Sequence, residues 1–383
     1  MFEKQIQMVD LHGQYLRIKD EIDAAMQAVI TGCAFINGPQ VKTFAGHLAA
    51  YLDIPHVIPC GNGTDALQIA LMALELQPGD EVILPAFTYV AAAEVVALLG
   101  LTPVLVDVDP RTFNIDPAKI EEAVSRKTKA VIAVHLFGQS CEMDAIMRIA
   151  ESHRLYVIED NAQSIGAAYT FPDGRIRKAG TIGHVGTTSF FPSKPLACYG
   201  DGGAVMTSDP VLAERIRMIA NHGQECKYHH KLIGCNSRLD TLQAAVLDVK
   251  LKYLPDFTEA RQAVASAYDE ALSGYKEIVT PAGTAFSTHV YHQYTVQVEG
   301  GKRDALQAFL KERGIPSMVY YPLPLQAQEA YRNIIRTGGS LHESARLSTS
   351  VLSLPIHTEM QENEIQYITE NIAEALCKVA MLC

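Results

Sequence analysis

Three stretches carry residue types that could do chemistry together. In TTSFFPSKPLACYGDGGA, Thr187 to Ala204, a single lysine, Lys194, sits between Pro192 and Pro195 after an apolar, aromatic run. Prolines on both sides suit a fixed loop better than a solvated helix face, and a lysine so held is a candidate amine nucleophile; taken alone, a lysine is more often a structural or solvated cation. In YVIEDNAQSIGA, Glu159 and Asp160 close an apolar run, with Gln163 just beyond. Neighbours on a strand point to opposite faces, so the two carboxylates are no acid/base pair: one meets the ligand edge, the other the far side, where an ion pair is the plain explanation. In PCGNGTDALQIAL, the residues Gly61, Asn62, Gly63 and Thr64 run straight into a helix pattern. Glycine admits close backbone approach, and unpaired N–H groups at a helix start favour an anion such as phosphate; a simple turn capped by Thr64 or Asp65 is the alternative.

Together the three describe a phosphate cradle, a strand-end carboxylate and a positioned lysine. Pyridoxal 5'-phosphate needs that set: an amine to link to its aldehyde, a carboxylate for its ring nitrogen and donors for its phosphate. A rival is contained in the same residues, because Gly61 to Ala66 also fits G-x-G-x-x-A, the dinucleotide fingerprint of an NAD-dependent nucleotide-sugar oxidoreductase. That motif wants an acidic residue at the carboxyl end of the next strand. Asp80 and Glu81 instead precede the strand, whose far end reads PAFTYV.

The elements that must position these residues are legible as apolar runs. Strands are expected at 56–60, 81–85, 103–108, 129–136, 155–160, 187–191 and 204–208, with helices at about 64–77, 88–99, 117–125 and 143–153. The strands are nearly continuous in apolar character, as in a parallel sheet covered on both faces, and ligands of such sheets sit beyond the carboxyl strand ends. The expectation is an α/β fold with a mostly parallel seven-stranded sheet. After about residue 240 longer helices, one strong strand in QYTVQV and the Pro-rich YYPLPL change the character. A large domain over 1–250 and a smaller C-terminal α+β domain over 251–383 follow. YGDGGA reads as a tight turn between strands.

Composition narrows the class. No apolar run reaches membrane-spanning length, and the N-terminus MFEKQIQMVDLHGQ lacks a basic segment followed by an apolar one, so a cytoplasmic protein without a membrane partner is expected. The net charge of −11 disfavours nucleic acid as partner. The eight cysteines show no C-x-x-C pair and no Cys/His cluster at zinc spacing; they read as reduced structural thiols, and no metal is expected.

With those residues in hand, the sequence resembles the DegT family of nucleotide-sugar aminotransferases, on the fold type I pyridoxal phosphate scaffold. The resemblance covers roughly residues 8–378 through INGPQVKTF, GNGTDALQIAL, GDEVILPAFTYVA, PVLVDVDPRTFNID, VIEDNAQSIGA, TSFFPSKPLACYGDGGA and NSRLDTLQAA. It implies Lys194 as the Schiff-base lysine, Asp160 at the ring nitrogen and Gln163 at the ring's 3-hydroxyl. Gly63, Thr64 and Ser189 would hold the phosphate, Tyr89 a ring face, and Asn236 would reach the phosphate from a second subunit, so a homodimer with shared active sites is implied. Some relatives carry histidine at the lysine position and dehydrate instead; Lys194 implies transamination.

FFPSKPLACYGDGGA and HGQECKYHHKLIGCNSRLDTLQAA look most like the subgroup that aminates a UDP-linked 3-keto N-acetylglucosaminuronate for bacterial surface polysaccharides such as O-antigen. The resemblance implies L-glutamate as donor and a UDP-ketosugar as acceptor, with His229, His230, Arg238, Tyr320 and Tyr321 as sugar-nucleotide contacts. One departure stands out: where the subgroup has histidine and tyrosine before P-x-P, this chain has Tyr320 and Tyr321. Another nucleotide-linked 3- or 4-ketosugar is the alternative acceptor.

Overall fold

The computed structural model describes residues 6–380. Its main sheet has eight strands, in the spatial order His56–Cys60, Gly203–Thr207, Val185–Ser189, Tyr156–Asp160, Thr128–Val134, Glu81–Pro85, Thr102–Val106 and Arg336–Thr337. Gly203–Thr207 pairs antiparallel with both of its neighbours, and every other pairing is parallel. All strands but Gly203–Thr207 therefore point one way, and their carboxyl ends share one edge. The expected seven strands are present within a few residues of their expected limits. The eighth is only two residues long and comes from the C-terminal part of the chain, too short for any periodic signal.

Alternation along the strands divides the buried apolar residues between two faces. Val82, Leu84, Ala130, Ile132 and Ile158 pack with helices Gly63–Ala73 and Ala91–Leu98. Ile83, Val131, Ala133 and Val157 face the other way, against Ile120 and Ile146 of helices Pro117–Ala123 and Met143–His153. Several helices start on sequence-encoded caps: Asn62, Asp116 and Asp209 each accept a backbone N–H of the first turn, a contribution of about 1 kcal/mol apiece.

A second, antiparallel sheet joins Ile278–Val279, Tyr294–Val298 and Val351–Leu354, with its own core under helices Leu254–Leu272, Arg303–Glu312 and Glu362–Ala380. The chain between the two layers is fastened to the main sheet. Gly338 N–H donates to Leu105 O at 2.8 Å, Leu325 N–H to Ala86 O at 3.1 Å, and the Asp107 carboxylate receives the N–H groups of Glu343 and Ser344, both at 2.8 Å. The cysteines among the described residues are free; Cys383 lies outside them. Among the described residues no helix is long and apolar enough to cross a membrane, and no His/Cys/Asp/Glu group could hold a metal.

Candidate active site

The carboxyl edge collects residues from four separate strands. Cys60 leads to the Gly61–Gly63 loop, Pro85 to Tyr89, Asp160 stands at its strand's last position, and Ser189 leads to Lys194. Lys194 is set by a turn in which its N–H donates to Phe191 O at 2.8 Å. Phe190 and Leu196, both fully buried, anchor the turn on either side, and Phe190 meets Phe44 edge-on at 5.5 Å.

Asp160 and Lys194 perturb one another. Burial pushes the Asp160 carboxyl up, countered by the Ala162 N–H and the charge of Lys194. Burial pulls the Lys194 ammonium down to about 8, countered by Asp160. A lysine with that titration exchanges its proton near neutral pH, which suits an amine that must act as nucleophile and base.

The neighbouring carboxylate has a different task. Glu159, on the opposite face, accepts Gly180 N–H at 2.8 Å, Ile182 N–H at 2.6 Å, Gly183 N–H at 2.5 Å and His135 Nε2 at 2.8 Å. Cys141 N–H donates to His135 Nδ1 at 3.1 Å, which makes Nε2–H the donor to Glu159. Burial pushes Glu159 up, but His135 and the amides outweigh it and hold the carboxyl below its ordinary value. Glu159 thus braces the strand end from behind while Asp160 faces the site.

The glycine loop forms a wall without side chains. Asn62 Oδ1 accepts Asp65 N–H at 2.8 Å, leaving the first N–H groups of the helix free of intrahelical partners. A Cβ on Gly63 would lie 2.6 Å from Ser189 Cβ, and one on Gly203 would lie 2.4 Å from Asn62 O and 2.9 Å from Gly63 N. YGDGGA therefore does more than turn the chain: its last glycine opens the space in which the loop sits. Ser237, which the sequence reading did not single out, accepts Gly61 N–H at 2.9 Å and donates to Asp65 at 2.6 Å.

Aromatic rings cover the same edge. Tyr321 lies 6.2 Å from Tyr89 and 6.1 Å from Phe87, centroid to centroid. Gln163 Nε2 donates to Tyr321 Oη at 3.3 Å, while Gln163 Oε1 accepts Phe137 N–H at 2.7 Å, so the amide presents its NH2 side to the site. Tyr320 packs edge-on against Tyr321 at 5.9 Å; burial raises both phenols.

Gly63, Thr64, Tyr89, Asp160, Gln163, Ser189, Lys194, Tyr320 and Tyr321 therefore share the edge. The remaining expected residues do not join them within one chain. His229 and His230 lie on an exposed hairpin, where His230 Nδ1 pairs with His222 O at 2.9 Å. Asn236 is exposed and bridges to Asn221; Arg238 is half-buried beside Gly61.

The donor set fits pyridoxal 5'-phosphate: a perturbed amine, a carboxylate raised by burial in want of a cation, and a loop wall that a Cβ would fill. It does not fit a dinucleotide. Glu81, the nearest acidic residue to the required position, starts its strand at the opposite edge and is occupied by Arg336 at 3.0 Å and Ser125 Oγ at 2.6 Å.

Residues 16–373 match the family described as the DegT/DnrJ/EryC1/StrS aminotransferase family. The chain is 48% identical to a "Pleiotropic regulatory protein" of Geobacillus stearothermophilus, with 96% of this chain and 98% of that protein covered. It is 47% identical to the UDP-2-acetamido-2-deoxy-3-oxo-D-glucuronate aminotransferase of Pseudomonas aeruginosa, with 95% and 98% covered. Among solved structures it is similar to a DegT DnrJ EryC1 StrS aminotransferase from Brucella abortus, with a TM-score of 0.92, 42% identity and 96% and 99% of the two chains covered.

Proposed function

Since the chain belongs to the DegT/DnrJ/EryC1/StrS aminotransferase family, whose cofactor is pyridoxal 5'-phosphate, we propose that it moves the amino group of L-glutamate to a UDP-linked 3-ketosugar. The acceptor of the reading is UDP-2-acetamido-2-deoxy-3-oxo-D-glucuronate, supported by the 47% identical relative that bears this name and by TSFFPSKPLACYGDGGA. Other nucleotide-linked 3- or 4-ketosugars are the competing acceptors. The observation that carries the reading is the mutual perturbation of Asp160 and Lys194 beside the Gly63/Ser189 wall.

When bound, pyridoxal 5'-phosphate supplies an aldehyde that links to amines and a ring that stores an electron pair. Lys194 would hold the cofactor's aldehyde and, once freed as an amine, would move the proton released from the donor's α-carbon. Asp160 would keep the ring nitrogen protonated, and Gln163 would orient the ring through its NH2 group. Gly63, Thr64 and Ser189 would receive the phosphate, and Tyr89 and Tyr321 would cover the ring. One water is taken up as the donor leaves as 2-oxoglutarate with its amino group retained at the site; when the ketosugar takes its place, its carbonyl oxygen leaves as water and Lys194 would return a proton to the carbon that gains the amine. Two substrates using one site in turn give ping-pong kinetics.

In this reading the protein is a homodimer in which the exposed Asn236 reaches the partner's phosphate, and His229, His230 and the half-buried Arg238 bind the sugar nucleotide with Tyr320 and Tyr321. A guanidinium suits a phosphate or carboxylate there. The setting is the cytoplasm, where nucleotide sugars for surface polysaccharides such as lipopolysaccharide O-antigen are made.

The test is 2-oxoglutarate release from L-glutamate against a panel of UDP-ketosugars, with cofactor absorbance and borohydride fixation to Lys194 read in parallel. A protein that stays colourless with added cofactor sinks the enzyme reading. Cofactor bound without 2-oxoglutarate release favours a regulatory role, the one the Geobacillus relative's name suggests.

A further inference from the structure

One serine hydroxyl joins two parts of the chain that the proposed function assigns to different active sites. The segment 235–238 runs as an extended strip beside the end of helix Pro210–Ala220: Cys235 N–H donates to Ile219 O at 2.8 Å, Ser237 N–H to Ala220 O at 2.9 Å, and Asn236 bridges to Asn221. Side chains alternate along such a strip. Asn236 is accordingly exposed, while Ser237 is only 2% exposed and turns the other way.

The buried hydroxyl ends in the glycine loop. Ser237 Oγ accepts Gly61 N–H at 2.9 Å and gives its single proton to Asp65 Oδ2 at 2.6 Å; Asp65 N–H in turn donates to Asn62 Oδ1 at 2.8 Å. The contact is close, since a Cβ at Gly61 would lie 2.9 Å from Asp65 Oδ2 and 3.2 Å from Ser237 Oγ. Residues 61, 62, 65 and 237 thus form one hydrogen-bonded unit around the loop that leads into Gly63 and Thr64. A hydroxyl offers one donor and two acceptor lone pairs, and both kinds are used here. Its removal leaves a part-buried amide and a carboxylate unpaired at once, which costs more than the net worth of the bonds.

We propose that Ser237 is a positioning residue for two active sites at once: it fixes the glycine loop of its own chain and, through the same hydrogen bonds, the placement of Asn236 at the phosphate of the partner subunit. The inference rests on the reading in which Asn236 acts in a second copy. Each chain then holds the phosphate loop of one site and the amide it lends to the other on a single oxygen, so the two phosphate positions are set together and the coupling runs equally in both directions.

Heterodimers assembled from two differently tagged full-length chains test this. The first chain keeps Lys194 and the second carries Lys194→Ala, so cofactor fixed to Lys194 by borohydride reports one site alone, made from the first chain's lysine and glycine loop and the second chain's Asn236. The fixed amount is read by mass spectrometry against pyridoxal 5'-phosphate concentration, with Ser237→Ala placed in either chain. A serine that only supports its own loop matters in the first chain alone. Ser237→Ala in the second chain is expected to weaken binding at the reported site at least about threefold, with no further loss when that chain also carries Asn236→Ala. Unchanged affinity with Ser237→Ala in the second chain overturns the proposal, as does a loss that persists undiminished beside Asn236→Ala. Should Ser237→Ala not fold, Asp65→Ala in the second chain removes the acceptor of the hydroxyl and is judged by the same two criteria. Failure of the underlying reading looks different: Asn236→Ala in the second chain is without effect, or no arrangement takes up cofactor. Either takes the proposal with it, whereas an affinity unmoved by the Ser237 substitution overturns the proposal alone.

Discussion

Asp160 ends its strand in register with Thr187 on the neighbouring strand, whose chain continues over the same edge to Lys194, and burial raises the acid and lowers the base while the charge of each counters the shift of the other. Folding thus places a lysine where its charge is disfavoured, and the direction of the resulting pH dependence follows. With Lys194 at about 8 in the folded chain against an ordinary 10.5, the unfolded chain binds more protons between those values, and stability rises with pH across that window. Below pH 8 the folded chain carries the full burden, on the order of 1–3 kcal/mol for a half-buried ammonium. Lys194→Met is expected to raise the Tm of the cofactor-free chain at pH 7 and to lose its advantage by about pH 10.5. Calorimetry at several pH values checks it; an advantage independent of pH refutes the charge argument.

Glu159 gives the opposite sign. Its depressed titration means that the stability it contributes is present above its ordinary value and lost as pH falls through the folded one. Glu159→Gln sets an NH2 group against the amides of Ile182 and Gly183 or against His135, and is expected to cost about 2–4 kcal/mol. Urea unfolding at pH 7 should show that loss, and the variant should show a flatter acid dependence than the parent chain.

Gly203 separates a packing role from a chemical one. Gly203→Ala pushes a methyl into Asn62 O and Gly63 N and is expected to weaken cofactor binding at least about tenfold by displacing the phosphate wall. Gly32→Ala, where nothing lies within 4 Å, serves as the control. Absorbance titration with pyridoxal 5'-phosphate measures both; equal affinities would remove Gly203 from the site's support.

The proposed sharing of sites between two copies predicts complementation. Lys194→Ala is expected to lower turnover at least about a thousandfold, and Asn236→Ala to weaken cofactor retention. Co-folded mixed dimers then contain one site that keeps both residues, and about a quarter or more of the parent activity per heterodimer is expected. No recovery in verified heterodimers places Asn236 outside the partner's site.

The main sheet was readable because its strands are apolar on both faces and each runs into a turn or helix signal. The family match over residues 16–373 agrees with the resemblance carried by the motifs along those strands. What sequence reasoning passed over has two physical origins. Helices Pro39–Leu52 and Pro210–Ala220 carry only short start signals, Gly38-Pro39 and Asp209-Pro210; Arg336–Thr337 carries none, being a strand only through its neighbour. Ser237 and Phe137 reach the site through tertiary docking, and no spacing in the chain places residue 237 beside residue 61 or residue 137 beside residue 163. His135 is intermediate: a histidine directly after an apolar strand, two residues beyond Ala133, the register partner of Glu159, is a visible hint of the brace.

The two-residue strand Arg336–Thr337 also bears on how the protein comes to be made. It pairs with Val104 and Leu105 of Thr102–Val106, the last five-residue strand at one of the two edges of the main sheet. A ribosome releases Thr102–Val106 early and its cover only after most of the chain has emerged, so the nascent protein carries an open, apolar sheet edge through much of its synthesis, the kind of edge that recruits other strands. Chains terminated before residue 336 keep that edge permanently, whatever their glycine loop and lysine are otherwise able to do.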